Sequence, residues 1–141
     1  MTYLLDSDTL THGLYNRRSV TERIDGVRPP DTVGVAEVTR AEALRGRTDA
    51  VLKAADGATA LRAIELLRGT EAYLARFPLV PFNTAAAAHL DRLRAGRKIW
   101  SGGHADLLLA CIALAQAATL VTRNLKDFAG MPGLKVENWA D

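Results

Sequence analysis

Short apolar runs separated by longer segments of helical periodicity constrain this chain more than any other feature. The first run, Tyr3-Leu4-Leu5, holds no polar residue, as expected of a central strand covered on both faces. Val33-Gly34-Val35-Ala36 predicts a second strand, residues 77–82 a third, and Thr119-Leu120-Val121-Thr122 a fourth. Pro78 and Pro81 bracket the third run, and a residue without an N–H belongs at a sheet edge. Leu134-Lys135-Val136-Glu137 closes the set as a short fifth strand.

The intervening segments read as helices. One starts at Asp8, and residues 16–30 carry another that ends in the turn Arg28-Pro29-Pro30. Thr39-Arg40-Ala41-Glu42 matches a capping box and predicts a helix from Thr39 to about Gly46. Leu61, Ile64, Leu67 and Leu74 fall at helical spacing within residues 59–76. Asn83 or Thr84 caps a further helix ending near Gly96, a glycine-containing loop follows over residues 97–104, and a strongly apolar helix begins at Ala105. A short helix separates the last two strands. Alternation of this kind predicts an α/β fold in three layers, a parallel sheet flanked by helices.

The chain has 141 residues, 48% of them apolar, enough to bury a core without disulfides; residues 1–141 are expected to form one domain. Cys111, the only cysteine, lies in the apolar run Leu109-Ala110-Cys111-Ile112 and reads as a buried thiol, which fits a reducing cytoplasm. Asp6 and Asp8 interrupt the apolar start, and no basic leader precedes it, so no secretory signal is expected. Residues 107–121 include Gln116 and Thr119 and fall short of the roughly 20 apolar residues that span a bilayer. The formal charge is +2, with 14 arginines against 4 lysines, a balance that permits nucleic acid without requiring it.

Four acids, Asp6, Glu42, Asp106 and Asp127, each stand where a strand passes into a helix or where a helix begins. In a parallel sheet those junctions gather along one edge, the usual ligand edge of open α/β folds. Two carboxylates about 4 Å apart repel by roughly 4 kcal/mol at an effective dielectric of about 20, so a converging set calls for a hard cation. Mg²⁺ takes oxygen ligands, keeps several waters, and binds through one or two carboxylates plus substrate phosphate. Activation of water by such an ion makes a side-chain nucleophile unnecessary. Each acid also has a local reading: Asp6 as a cap, Glu42 as the second half of the capping box, and Asp106 as a charge favourable to a helix dipole. Glu37 is a rival to Glu42 but falls inside the second predicted strand.

Five blocks, in order, carry a family resemblance over nearly the whole chain: Leu4-Leu5-Asp6-Ser7-Asp8; residues 39–46; Asp106-Leu107-Leu108-Leu109-Ala110; residues 120–128; and residues 133–139. The chain resembles the PIN-domain ribonucleases, and most closely the VapC toxins of bacterial toxin–antitoxin systems. That resemblance implies a PIN-like domain with a central five-stranded parallel sheet and a Mg²⁺ or Mn²⁺ site. It also implies hydrolysis of RNA phosphodiesters by a divalent-metal-dependent endoribonuclease, homodimerisation, and a small VapB-like antitoxin.

Carried onto this sequence, the resemblance implies Asp6, Glu42 and Asp106 as metal ligands and, with Asp127, as the catalytic acids. Many PIN domains have an acid where this chain has Asn124, so Asn124 and Asp127 compete for the fourth corner. Asn124 can cap the short helix, and Asp127 can form the reciprocal half of that cap. Asp8 stands where the family usually has Asn, and Asn124, Asp8 and Thr122 are expected to assist the site. Candidates for holding RNA are Arg97, Lys98, Arg123 and Lys126 at its approaches, with Trp100 positioned to stack on an unpaired base. Trp139 is expected to be a packing anchor.

Two other functional classes compete with this one. A response-regulator-like phosphoacceptor needs an Asp after the third strand and a Lys near the fifth, but Pro81-Phe82 and Glu137-Asn138 occupy those places. The altered corner at Asn124 leaves a catalytically silent PIN-like RNA- or protein-binding module as the alternative.

Overall fold

A computed structural model describes residues 1–96, 100 and 102–141. The five predicted strands form β1 (Thr2–Leu5), β2 (Thr32–Ala36), β3 (Leu79–Val80), β4 (Thr119–Val121) and β5 (Lys135–Glu137). They make one sheet in the order β3-β2-β1-β4-β5, every neighbouring pair parallel. β1 is therefore central. Tyr3 pairs with Val33 on one side and Thr119 on the other. The proline-bracketed β3 is an edge strand, as its missing donors require.

Side chains alternate across β1, and the two faces feed two separate cores. Leu4 joins Ala36, Leu120 and Phe128 on one face; Leu5 joins Val33, Val35 and Val121 on the other. The first face is covered by α5 (Thr84–Ala95) and α6 (His104–Ala115), whose Leu107, Leu109, Ala110, Cys111 and Ile112 are buried. The second is covered by Leu10 of α1 (Ser7–Leu14), Ile24 of α2 (Arg18–Gly26), Ala43 and Leu44 of α3 (Glu37–Lys53) and Leu74 of α4 (Gly57–Leu74). The result is the expected three-layer α/β sandwich. Trp139 is buried and stacks at 5.2 Å from Tyr3, the anchor anticipated from the sequence.

The capping box at Thr39 does not form. Ala36 ends β2 and is itself the N-cap of α3, so the helix begins at Glu37 and Thr39 is already inside it, 1% exposed. Glu37 does not belong to the strand either. Its Oε1 accepts the backbone N–H of Phe82 at 2.9 Å and ties the start of α3 to the segment after β3. α3 also runs past Gly46 to Lys53, because it packs lengthwise on α4. Asn83 caps α5 as expected, accepting from the N–H of Ala86 at 3.0 Å.

Candidate active site

Parallel strands deliver their carboxyl ends to one edge, and β1 and β4 mark the point where the chain's sheet order reverses, so a crevice opens between their ends. Asp6 follows β1 directly. Its backbone N–H donates to the Val121 carbonyl at 3.0 Å, which fastens it to the end of β4. Its Oδ1 accepts the Thr9 N–H at 2.8 Å and caps α1, and the residue is 7% exposed. Thr9, fully buried, donates its hydroxyl to the Val121 carbonyl at 3.3 Å, so the same junction is held twice.

Asp106 lies in the first turn of α6, which leads back into β4 and therefore starts at the same edge. Burial raises its carboxyl above the ordinary carboxylate range, and the neighbouring charges of Glu42, Asp6 and Asp127 raise it further. Like charges act this way only at short range. The structure thus sets Asp106 within electrostatic reach of the other three acids predicted from the sequence, which come from the end of β1, from α3 and from the short helix α7 (Leu125–Phe128). Among the described residues, no group of three or more His, Cys, Asp or Glu side chains forms a ready-made metal cage. The donor set on offer is carboxylate and amide oxygen, the kind that Mg²⁺ or Mn²⁺ takes while retaining water and phosphate ligands.

The fourth corner is built differently from its expectation. Asn124 makes no side-chain cap to α7; its Nδ2 instead donates to Asp127 Oδ2 at 2.6 Å. The cap geometry fails because Asn124 is not extended, with φ −86° and ψ 57°, so its amide reaches along the short helix rather than across its first turn. Thr122 is fully buried, and its hydroxyl accepts the Asn124 N–H at 3.0 Å, which fixes the turn out of β4. Asp8 lies 3.4 Å from His12, one turn further along α1.

The basic and aromatic candidates divide. Arg97 and Lys98 lie outside the described residues. Lys126 is exposed on α7. Arg123 is engaged with Asp141 at 3.3 Å. Trp100, expected to stack on a base, packs its ring 5.5 Å from Phe128, and its Nε1 donates to the Gly103 carbonyl at 2.9 Å. The indole is thus held against the core, with its face partly exposed. Gly102 accommodates that ring: a Cβ there would sit 2.8 Å from Cζ2 of Trp100.

A family model for the PIN domain matches residues 3–134. The chain belongs to the PIN-domain family. It is 30% identical over 145 residues to ribonuclease VapC1 of Haemophilus influenzae strain R2866, a match covering 99% of this chain and 98% of that relative. Among solved structures, VapBC-1 from nontypeable Haemophilus influenzae is 26% identical, covers 100% of both chains and has a TM-score of 0.77. VapBC2 from Rickettsia felis, solved with a promoter DNA fragment, is 24% identical over 99% of each chain with a TM-score of 0.79, a likeness of fold.

One participant in this PIN-domain site escaped the sequence reading. Ser7 donates its hydroxyl to Glu42 Oε1 in a short hydrogen bond, linking the residue after Asp6 to the second turn of α3. Without that link, Glu42 is an exposed helix side chain with several rotamers. Its position between Asp6 and Asp8, at the first residue of a helix that starts at the acidic edge, was the available signal.

Proposed function

We propose that residues 1–141 act as one divalent-metal-dependent endoribonuclease domain, the toxin of a type II toxin–antitoxin pair. The observation that carries this reading is that Asp106, at the carboxyl edge of the sheet, feels the charges of Glu42, Asp6 and Asp127. Close kinship to a protein named ribonuclease VapC1 across nearly the full length of both chains supports it. Mg²⁺ or Mn²⁺, when bound, supplies charge neutralisation for the phosphodiester and a water acidic enough to attack it.

Asp6, Glu42 and Asp106 are the residues that would hold that ion. Asp6 is oriented by its cap to Thr9, and Glu42 by Ser7. Asp127, held by Asn124, stands at the exit of β4 and orients water or the leaving oxygen; Thr122 keeps that turn in place. The solved relatives are VapBC complexes, which supports a VapB-like antitoxin as partner, and a homodimer is the expected assembly. Among the described residues no helix is long and apolar enough to cross a membrane. A cytoplasmic location follows from the RNA substrate.

The test is cleavage of structured RNA by the purified chain with Mg²⁺ or Mn²⁺. Cutting is expected to stop with chelator and in Asp6→Asn and Asp106→Asn, both still folded by circular dichroism. Full activity without divalent ions, or in either variant, refutes the reading.

A further inference from the structure

An acidic cleft repels the polyanion it is meant to cut, so some cationic group near its mouth must seat the backbone. The geometry beside the fourth corner supplies one, and it is already holding an anion. Arg123 leaves β4 between Thr122 and Asn124, the residue whose amide grips Asp127. Arg17 arrives from the turn between α1 and α2. Asn16 adopts φ 59° there, a left-handed conformation that Asn tolerates better than most residues, and the Arg17 N–H closes α1 on the His12 carbonyl at 2.8 Å. The two guanidinium groups converge on one oxygen, Asp141 Oδ1, from 3.3 Å for Arg123 and 3.9 Å for Arg17.

The carboxylate they share is held in place by a tethered segment. Trp139 and Ala140 are buried, Ser19 donates its hydroxyl to the Ala140 carbonyl at 3.1 Å, and the Ala140 N–H donates to Asn138 Oδ1 at 2.9 Å. Asn138 Nδ2 then holds the second oxygen of Asp141 at 2.8 Å. The hydrogen bond from Asn138, and after it the charges of Arg123 and Arg17, keep the Asp141 carboxyl below its usual range, so it is anionic wherever the protein works. Yet all three charged side chains are about half exposed, and ion pairs so open to water are weak. Guanidinium forks accept phosphate as readily as carboxylate.

We propose that Arg17 and Arg123 form a seat for an RNA phosphodiester beside the acidic cleft, and that Asp141 fills it as an internal competitor which the substrate displaces. The proposal rests on the ribonuclease reading for its ligand. It predicts that the chain restrains its own affinity for RNA: removal of the Asp141 charge strengthens binding, whereas removal of either arginine weakens it.

The experiment measures binding of a fluorescein-labelled single-stranded oligoribonucleotide to the full chain by anisotropy, in chelator, so that no cleavage intervenes. Asp141→Asn, which keeps the hydrogen-bonding shape, is expected to tighten binding about three- to tenfold. Asp49→Asn, which changes net charge equally from well along α3, is expected to shift it less than twofold. Arg123→Ala weakens binding and lowers the slope of log affinity against log salt by about 0.7, the value for one lost single-strand phosphate contact. In the Arg123→Ala background, Asp141→Asn no longer tightens. Equal affinity of wild type and Asp141→Asn, or equal tightening with and without Arg123, overturns the seat. If the seat behaves as described while Mg²⁺ and Mn²⁺ produce no cutting, the nuclease reading falls and the seat stands.

Discussion

Glu42 and Asp106 show how single side chains divide the work between folding and chemistry. Ser7 holds Glu42 and contributes little else, so its loss is felt in the site rather than in the fold. Ser7→Ala is expected to lower RNA-cleaving activity by about 10-fold, within the range for partners that orient ligands, with the thermal midpoint nearly unchanged. Asp106 behaves in the opposite way. Its raised carboxyl means that the folded chain prefers it protonated; the stability associated with that proton is present in acid and is lost as pH rises through the raised value. At neutral pH the ionised Asp106 therefore works against folding when no metal is bound. Asp106→Asn is expected to melt higher than wild type in chelator at about pH 7, with the gain shrinking as acid protonates the Asp106 carboxyl. A variant that melts lower at neutral pH contradicts the assignment. Legibility at this scale was uneven: Asp6 does stand at a strand-to-helix junction as expected, whereas Glu42, expected at a helix start, lies in the second turn of α3, and Ser7 is an ordinary helix-start residue until α3 is placed beside it.

At the scale of elements, apolar runs announced the inner strands β1, β2 and β4, since a strand buried on both faces has little room for polar residues, whereas β5 alternates Lys135, Val136 and Glu137 as a half-exposed edge does. Helix boundaries were harder. Thr39-Arg40-Ala41-Glu42 satisfies the local pattern of a cap, but the sheet decides where β2 stops, and it stops three residues earlier than that pattern assumes. Gly46 misled in the same way: it resembles a stop, yet the lateral contact with α4 carries the helix through it. A Cβ at Gly46 would meet nothing within 4 Å. Gly46→Ala is thus expected to raise unfolding free energy by about 0.5–1 kcal/mol in denaturant titration, the ordinary cost of glycine in a helix interior. Gly13, also helical, carries the opposite expectation, because a Cβ there would sit 2.2 Å from the Tyr73 hydroxyl where α1 crosses α4.

For the whole molecule, the strand order matters more than any one contact. β1 sits between β2 and β4, and Asp6 and Asp127, which follow β1 and β4, are separated by more than a hundred positions. Such non-local pairing is slow to form and leaves edges open until it does. Removal of residues 119–141 takes away β4 and β5 and exposes the inner edge of β1. The shortened chain is expected to be insoluble or unfolded by circular dichroism; a folded, soluble product would show that the first three strands suffice.

The same strand order bears on how a cell makes this protein. Asp6 is synthesised well before β4, the strand whose end holds it in place. Until β4 is made, the growing polypeptide therefore lacks the carbonyl of Val121 that fastens Asp6. Products of synthesis that stop before β4 therefore carry an unpaired edge on their innermost strand, which favours aggregation over a finished fold.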